Sequence, residues 1–490
     1  MVSGQCLGDQ QSLLLQLKNS LRFDPIYSKK LVHWSNKIVD CCSWEGVTCS
    51  QLGHVVGLDL SNESISGGLD NSSSLFSLGF LQSLNLADNK FSSSEIPDQF
   101  MRLKNLSYLN LSTAGFLGFD PIGISHLTRL VALDLSSAYV PHINMYFHLA
   151  TLVQNLSEHR ELYLDGVLVL EEGSGWCQHL SASLPNLSVL SMKNCGLSGP
   201  LDSCLSNLPK SLSVIRLDGN MFSAPVPEFF ADFKNLTSLS FASCKLNGKF
   251  PEKIFQIPTL QMLDLSSNDL LQGFLPEFPR NGSLQRILLA HTSFSGTLPH
   301  SLGSLKMLST LDLSYCSLTG TIPTAMDNLT QLVDLKMSHN NFTGPIPSVS
   351  MAKNLTQINL SSNDLTGEIT YTRWEELLML EMLDLRYNSH TGSIPGSLFS
   401  LQSLRELYLS YNQFCGQLVG FSNISSHLLN TIDLSSNNLE GPIPLSLFQF
   451  PSPDLTLDLS YNKLWIESSG INSSFRPLVT YSHISLASNQ

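Results

Sequence analysis

Residues 263–268, LDLSSN, decide the fold, because this hexapeptide recurs in recognisable form through most of the chain. Its two leucines lie two residues apart, so on a short strand both point to one side while Asp264 points to the other. Asn268 follows five residues after the first leucine. The first apolar position recurs eighteen times, at intervals of 23 to 29 residues that are mostly 24 or 25: Leu58, Leu84, Leu109, Leu133, Leu162, Leu190, Ile215, Leu239, Leu263, Ile287, Leu311, Leu335, Ile358, Leu383, Leu407, Ile432, Leu457 and Ile484.

This regular period is typical of a repeat architecture in which each coil packs only on its neighbours. The side chain at the Asn268 position is expected to cap the turn after each strand by bonding to buried backbone groups. The sequence therefore predicts an α/β-type solenoid, a right-handed leucine-rich repeat superhelix with a parallel β-sheet on its concave face. Ten of the eighteen capping positions are Asn: 89, 220, 268, 340, 363, 388, 412, 437, 462 and 489.

Composition limits the function classes. The chain has 40 acidic and 27 basic residues, a net charge of -13, so broad electrostatic attraction to nucleic acid is absent. No stretch approaches the length of a membrane-spanning helix, and too few residues precede Cys6 for a signal peptide. No catalytic triad pattern, HExxH or P-loop motif is present. We therefore expect neither an enzyme nor a bound cofactor.

The ten cysteines divide by position. Around DCCSWEGVTC (40–49), adjacent Cys41 and Cys42 are not expected to bond each other, and the short loop from Cys42 to Cys49 closes around Trp44. This predicts the pairs Cys6–Cys41 and Cys42–Cys49. A zinc site is the alternative, but it would lack paired Cys-x-x-Cys spacing and His partners.

A third disulfide, Cys177–Cys204, is predicted from nearly equivalent positions in adjacent coils; two free thiols are the alternative. Cys415 is left unpaired. Three cysteines occupy the capping position and are expected to be small buried caps, not metal ligands: Cys195, Cys244 and Cys316.

Fourteen N-glycosylation sequons, together with the disulfides, indicate an oxidising, secretory origin. The repeat itself often contains Asn-Leu-Ser or Asn-Leu-Thr, which raises the number of sequons. The acceptor positions are Asn62, Asn71, Asn105, Asn110, Asn155, Asn186, Asn235, Asn281, Asn328, Asn341, Asn354, Asn359, Asn423 and Asn472.

Two regions are expected. Residues 1–55 form a disulfide-bonded N-terminal cap, in which a helix starts after Asp9 as its N-cap and turns Leu13, Leu17 and Leu21 to one face. Residues 56–490 form about eighteen leucine-rich coils. Since Gln490 directly follows a capping Asn, the C-terminal end of the core is expected to be open, as in a truncated chain.

Many later coils add a turn phrase with Gly and Pro, as in LTGTIP (318–323) and FTGPIP (342–347). With the cap motif, this looks like the plant extracellular class of leucine-rich repeats. Over essentially its whole length the chain resembles receptor-like proteins of plant immunity, above all the Verticillium wilt resistance receptors. The matching stretches are SLLLQLKNSL, DCCSWEGVTC, LQSLNLADN, RELYLDGV, WCQHLSASLPNLSVLSMKNCGLSGPLD and FPRNGSLQRI.

The resemblance implies a protein on the extracellular face of the plant cell membrane, with one membrane helix and a short tail without a kinase. It also implies a receptor kinase adaptor and a co-receptor as partners. Their contact region, like the membrane anchor, cannot be assigned to any residue of this sequence.

Outward strand residues are the candidate ligand-binding surface. Six aromatic residues directly before the capping position form a column, interrupted by Ser362 and Ser436: His291, Tyr315, His339, Tyr387, Tyr411 and Tyr461. Aromatic rings are favoured at interfaces. The alternative is that the rings only tile the surface, and a glycan on Asn359 would split the column. Charged residues lie beside this column. They either bind a partner that carries charges of both signs or simply keep the surface soluble: Asp264, Asp312, Lys336, Asp384, Arg386, Asp433 and Asp458.

The repeats that start at Leu133 and Leu162 are unusually long, and their extra residues are expected to leave the coil as loops in segments 138–148 and 167–175. Exposed aromatics on such an insertion suggest ligand contact, as in some relatives; packing back on the flank is the alternative. The residues concerned are Tyr139, His142, Tyr146 and Phe147.

The favoured interpretation is a ligand-binding ectodomain that senses a secreted microbial protein or peptide. The runner-up is a secreted inhibitor of microbial cell-wall hydrolases, similar to polygalacturonase-inhibiting proteins. A polysaccharide-degrading β-helix enzyme would need convergent carboxylates and shorter coils.

Overall fold

The computed structural model describes residues 5–35, 40–91, 94–117, 122–137, 146–171, 173–201, 203–418, 428–443, 455–465 and 483–489. It contains two compact units, Met1–Leu246 and Asn247–Gln490. Both are stacks of leucine-rich coils, so the predicted repeat fold is confirmed.

In the first unit, the LxL phrases form short parallel strands whose leucines align from coil to coil: Leu58 lies beside Leu84, and Leu84 beside Leu109. This register follows from the period-two pattern, because it keeps every apolar side chain inside. The strands of this repeat sheet are Val55–Asp59, Ser83–Asn85, Tyr108–Asn110, Ala132–Asp134, Glu161–Tyr163, Val189–Ser191, Val214–Arg216 and Ser238–Ser240.

The second unit repeats this pattern, with Leu311 beside Leu335 and Leu335 beside Ile358. Leu263, Leu265 and the equivalent pairs in later coils as far as Leu457 and Leu459 are buried. The repeat-sheet strands here are Met262–Asp264, Arg286–Leu288, Thr310–Asp312, Asp334–Lys336, Gln357–Asn359, Met382–Asp384, Glu406–Tyr408, Thr431–Asp433, Thr456–Asp458 and His483–Ser485.

A second set of parallel strands, the turn sheet, follows the capping position in the second unit. Gly320 lies in it with φ +79°, a conformation that L side chains rarely adopt. Its strands are Asn247–Lys249, Asn268–Gly273, Thr292–Gly296, Ser317–Thr321, Asn341–Gly344, Asp364–Glu368, Ser389–Thr391, Cys415–Gly416, Asn438–Pro442 and Lys463–Trp465.

Short helices return the chain to the next strand. The α-helices are Gly8–Ser20, Ile122–Ser125, Leu149–Val153 and Gly175–Ser183. The 3-10 helices are Leu31–His33, Cys41–Ser43, Ser74–Ser77, Asp98–Arg102, Ser203–Asn207, Glu228–Asp232, Glu252–Gln256, His300–Ser304, Thr324–Asn328, Trp374–Glu376 and Gly396–Ser400.

Buried asparagines connect neighbouring coils as the repeat pattern predicts. Asn220 Nδ2 donates to the carbonyls of Met192 at 2.8 Å and Leu217 at 2.7 Å, while its Oδ1 accepts from the N–H groups of Cys195 and Leu197. These backbone groups have no access to water, so the amide satisfies bonds that would otherwise be lost. The stand-in Cys195 donates its thiol to Leu164 O, and burial raises the pKa of that thiol.

The N-terminal cap differs from the sequence expectation in detail. Its helix begins at Gly8, so Asp9 lies in the first turn and is not the N-cap. The buried helical residues are Gln10, Leu14 and Leu17; Leu21 is buried just beyond the helix, and Leu13 is only half-buried. A strand, Val47–Cys49, pairs antiparallel with the first repeat strand and covers its edge.

Two further pairs of strands lie outside these sheets. Arg22–Phe23 pairs antiparallel with Ile65–Gly67, which attaches the cap to the first coil. Tyr146–Phe147 pairs in parallel with Leu168–Val169, within the long repeats.

Candidate ligand-binding face

The aromatic column lies in the turn after each repeat strand and not on the strand, which corrects the sequence expectation. Tyr315, for example, comes three residues after its strand ends at Asp312. All six column residues have φ between +54° and +56°, in the left-handed region. The chain must change direction here so that the next residue can point inward as the buried cap, and a left-handed residue makes that turn.

The column is divided into two stacks and one separate ring. His291, Tyr315 and His339 stack with ring centroids 4.3 and 4.0 Å apart, and Tyr387 stacks on Tyr411 at 4.3 Å. The four tyrosines, including Tyr461, remain 47–60% exposed. Within each stack the rings therefore pack on one another, and the tyrosines still expose aromatic surface to solvent.

Most of the aspartates beside the aromatic column have a structural role. The backbone N–H of Ser435 donates to Asp433 Oδ1 at 3.1 Å, and Ser314 and Ser460 make the same bond two residues after their own aspartates. Each bond closes the strand-to-turn junction within its coil. The acidic side chains nevertheless remain on this face.

Arg386 forms a two-pronged polar contact on this face. Its Nε and Nη2 donate to the two oxygens of Asp384 at 3.0 and 2.8 Å, and its guanidinium carbon lies 4.3 Å from the centroid of the Tyr408 ring. The hydrogen bonds to Asp384 raise the pKa of Arg386 above its ordinary value. This side chain is therefore held by a bidentate ion pair and a cation–π contact.

The insertion is only partly described. Phe147 is 1% exposed, so the expectation of an exposed aromatic is wrong for this residue. It lies on the strand that pairs with Leu168–Val169, and its ring belongs to the core. Tyr146, beside it, is half-buried. Tyr139 and His142 lie outside the described residues.

The cysteine sulfurs are joined as Cys6–Cys41, Cys42–Cys49 and Cys177–Cys204. Cys6, Cys41 and Cys42 lie close enough to resemble a metal-binding group, but their sulfurs are used in disulfides and are not free thiolates. Four cysteines are not part of a disulfide, and Cys415 alone among them is exposed: Cys195, Cys244, Cys316 and Cys415.

Twelve of the fourteen sequon asparagines lie among the described residues, and none of these twelve is buried. Asn359 is half-buried on its strand, and its Oδ1 accepts hydrogen bonds from Ser361. Asn423 and Asn472 lie outside the described residues. The surface positions are compatible with glycans, and a glycan on Asn359 would stand on the strand that precedes Ser362.

Among the described residues, no helix combines the length and apolar character that crossing a membrane requires.

Comparison with known families agrees with the cap and the repeats. Residues 7–50 match the Leucine rich repeat N-terminal domain. Five segments match the Leucine Rich Repeat family: 80–103, 307–329, 379–401, 403–424 and 428–450.

Related proteins are plant receptor-like proteins. Receptor-like protein 6 of Arabidopsis thaliana is 34% identical over 329 residues, which are 64% of this chain and 28% of that protein. Receptor-like protein EIX1 of Solanum lycopersicum is 32% identical over 292 residues, which are 55% of this chain and 27% of that protein. The matched part thus spans little more than a quarter of either relative.

The ectodomain of the Arabidopsis receptor kinase HAESA, solved in complex with an IDA peptide hormone ligand, matches with a TM-score of 0.76 and 28% identity. The match covers 99% of this chain and 86% of that ectodomain. A complex of HAESA with IDA and the co-receptor SERK1 has the same TM-score. In its cap, its repeats and these relatives, the chain is similar to the plant leucine-rich repeat receptor-like proteins.

Proposed function

We propose that this chain is the ligand-binding part of the extracellular domain of a plant immune receptor, and that it senses a secreted microbial protein or peptide. In this proposal residues 1–55 cap the stack and residues 56–490 supply the coils. The complete receptor stands on the outer face of the cell membrane and signals through an adaptor kinase and a co-receptor. No catalytic step is involved.

The aromatic column carries this proposal. A buried coil needs only the Asn after the turn, so the residue before it is free to be small, as Ser362 and Ser436 are. Half-exposed tyrosines at that position add apolar area to the surface without filling the core. Tyrosine gives an interface a large contact area at a small entropic cost.

The relatives support the class of ligand. HAESA, whose ectodomain has the same fold, binds a peptide hormone in its crystal structure. The disulfides and the exposed sequons suit a protein that meets its ligand outside the cell. A microbial source for the ligand rests on the resemblance to resistance receptors.

The test is a pull-down of fungal culture filtrate with the immobilised, glycosylated 490-residue chain, followed by mass spectrometry. Affinity for a captured protein is then measured with Tyr387→Ala and Tyr411→Ala. We expect each to weaken binding by about 1–2 kcal/mol, as truncated interface aromatics commonly do. Tyr371→Ala is the matched control, because Tyr371 is 81% exposed and lies outside the column.

Unchanged affinity in both column variants would contradict a ligand site at the column. A captured polygalacturonase that loses activity on binding would instead favour the alternative function, a secreted hydrolase inhibitor.

A further inference from the structure

Two serines interrupt the aromatic column. Ser362 stands between His339 and Tyr387, and Ser436 stands between Tyr411 and Tyr461. Both serines have φ +54°, so the backbone directs their side chains as it directs the neighbouring rings. Each interruption therefore omits one ring from an otherwise regular stack.

The backbone on both sides of Ser362 is continuous with the column. His339 N–H donates to Ser361 O at 2.9 Å, and Ser362 N–H donates to Arg386 O at 2.8 Å. The Ser436 position is bonded in the same way: Tyr411 N–H donates to Ser435 O, and Ser436 N–H donates to Ser460 O. The rings that flank each serine are thus two coils apart.

Two coils correspond to about 9.6 Å, because parallel strands lie about 4.8 Å apart. The stacked rings of this column have centroids 4.0–4.3 Å apart. The space above each serine therefore has the width of one flat ring between two others. We name these spaces the Ser362 slot and the Ser436 slot.

The two slots are three coils apart, about 14 Å by the same spacing. An extended peptide rises about 3.3 Å per residue, so four residues span about 13 Å. Because four is even, residues i and i+4 of such a peptide project to the same side. Two aromatic side chains with this separation can enter both slots together.

The surface between the slots is negatively charged. Asp384 is neutralised by Arg386, but Glu406 and Asp433 also lie on the strands that lead from one slot to the other, and Asp458 lies on the next strand beyond Ser436. In the four segments that run from these strands to their capping residues, 382–388, 406–412, 431–437 and 456–462, Arg386 is the one Lys or Arg of the sequence. Such a surface favours a basic partner over a neutral one.

We propose that the Ser362 and Ser436 slots receive two aromatic side chains, four residues apart, from an extended basic peptide segment. The inference deepens the proposed function, on which it rests, by naming the chemistry of the ligand. Each inserted ring would be sandwiched between two receptor rings, a geometry that a single exposed tyrosine cannot offer.

The decisive variants fill the slots. Ser362→Tyr and Ser436→Tyr each add the residue that the column already uses at Tyr315, Tyr387 and Tyr411 with the same φ, so folding should be retained. Ser267→Tyr is the matched control. Ser267 has φ +58° at the same repeat position, but Ser243 holds that position in the preceding repeat, so the added ring closes no slot between two rings.

The probe is a fluorescein-labelled heptapeptide, Lys-Trp-Thr-Lys-Thr-Trp-Lys, with its aromatic residues four apart. A second peptide of the same composition, Lys-Trp-Thr-Lys-Trp-Thr-Lys, has them three apart and so on opposite sides. Fluorescence anisotropy measures binding to the full 490-residue chain. We expect the first peptide to bind the wild type and the control variant at least about tenfold more tightly than either slot variant.

Equal binding of the two peptides, or equal binding by wild-type and slot-filled chains, would overturn the proposal. So would slot-sensitive binding of a neutral β-1,4-linked hexasaccharide without binding of the peptide. If neither probe binds while the wild type still captures a microbial protein at the column, the slot inference fails and the proposed function stands. If the first peptide alone binds through the slots but no secreted protein is captured, the inference holds and the microbial source fails.

Discussion

A capping asparagine bonds to four backbone groups at the end of its repeat strand, as Asn412 shows. Its Nδ2 lies within 2.9–3.2 Å of the carbonyl oxygens of Leu385, Leu409 and Ser410, and its Oδ1 accepts from the N–H of His390. The side chain is 8% exposed, so water cannot replace these bonds. The capping residue therefore links two coils as well as closing one turn.

We expect Asn412→Ala to lower the free energy of unfolding of the second unit by about 2–4 kcal/mol, because several buried polar groups lose their partner at once. Hydrogen exchange of the second unit in increasing urea measures this loss. Asn438→Ala is the control, since Asn438 is exposed in the turn sheet. A similar loss of unfolding free energy in both variants would mean that the buried amide of Asn412 contributes no more to stability than the exposed amide of Asn438.

His390 is a polar residue at a turn-sheet position where other coils use leucine or phenylalanine. It is fully buried, and its Nδ1 lies 3.3 Å from Gly367 O, while its Nε2 has no hydrogen-bond partner among the described residues. Burial lowers its pKa to about 4. The folded chain thus holds this imidazole neutral where an unfolded chain would protonate it.

This depressed pKa gives stability a defined pH dependence. Above pH 6.5 His390 is neutral in both states and contributes no dependence. Between pH 6.5 and about 4 the unfolded chain takes up a proton that the folded chain excludes, so stability falls as pH falls. The total is about 3 kcal/mol for a shift of this size.

We expect His390→Leu to remove this component, which hydrogen exchange of residues 364–416 at pH 7 and pH 4.5 can detect. Buried His159 in the first unit, whose pKa is also lowered to about 4, serves as the internal reference because the variant leaves it intact. An unchanged pH profile for residues 364–416 would contradict a neutral buried His390.

The repeat pattern predicts which residues are buried, because leucines two apart can only face one side of a strand. It does not predict Phe147, since an aromatic residue in an irregular segment has no period that assigns it a face. It also does not predict the left-handed backbone of Tyr387, because that conformation is imposed by the turn into the buried asparagine. The slots at Ser362 and Ser436 were visible in sequence only as gaps in the column.

At the level of elements, the cap is attached to the first coil through Glu63. This residue occupies the capping position of the first repeat, where ten later coils have Asn, and it is 1% exposed. Its carboxylate accepts from the Ser28 hydroxyl and from the N–H groups of Lys29, Lys30 and Leu31. The sequence pattern does not reveal this role, because Glu63 falls in the repeat while its partners lie in an irregular segment.

We expect Glu63→Ala to expose the cap loop, because four donors lose a charged acceptor, at a cost of about 2–4 kcal/mol to the local structure. Limited trypsin digestion at the Lys29 and Lys30 bonds measures the change, and cleavage should accelerate about tenfold or more. Glu95→Ala, at an exposed position, should leave the rate unchanged. Equal protection in Glu63→Ala and the wild type would exclude this anchoring role.

On the scale of the whole chain, covalent cross-links are unevenly distributed among the described residues. The three disulfides lie in the first unit, and the described cysteines of the second unit, Cys316 and Cys415, are free. In a repeat protein each coil depends mainly on its neighbours. The two units should therefore respond differently to reduction, although both use the same repeat.

We expect a reductant to increase hydrogen exchange strongly in residues 5–60 and 174–207 and to leave residues 250–418 close to their oxidised values. Each lost disulfide removes about 2–4 kcal/mol of stabilisation from its own region, chiefly by freeing the unfolded chain. The double variant Cys177→Ser and Cys204→Ser separates the contributions, because it should affect the second of these regions and spare the cap. Hydrogen exchange with mass spectrometry, before and after reduction, provides the measurement. A comparable increase throughout residues 250–418 would show that stability is shared over the whole chain and does not depend mainly on contacts between neighbouring coils.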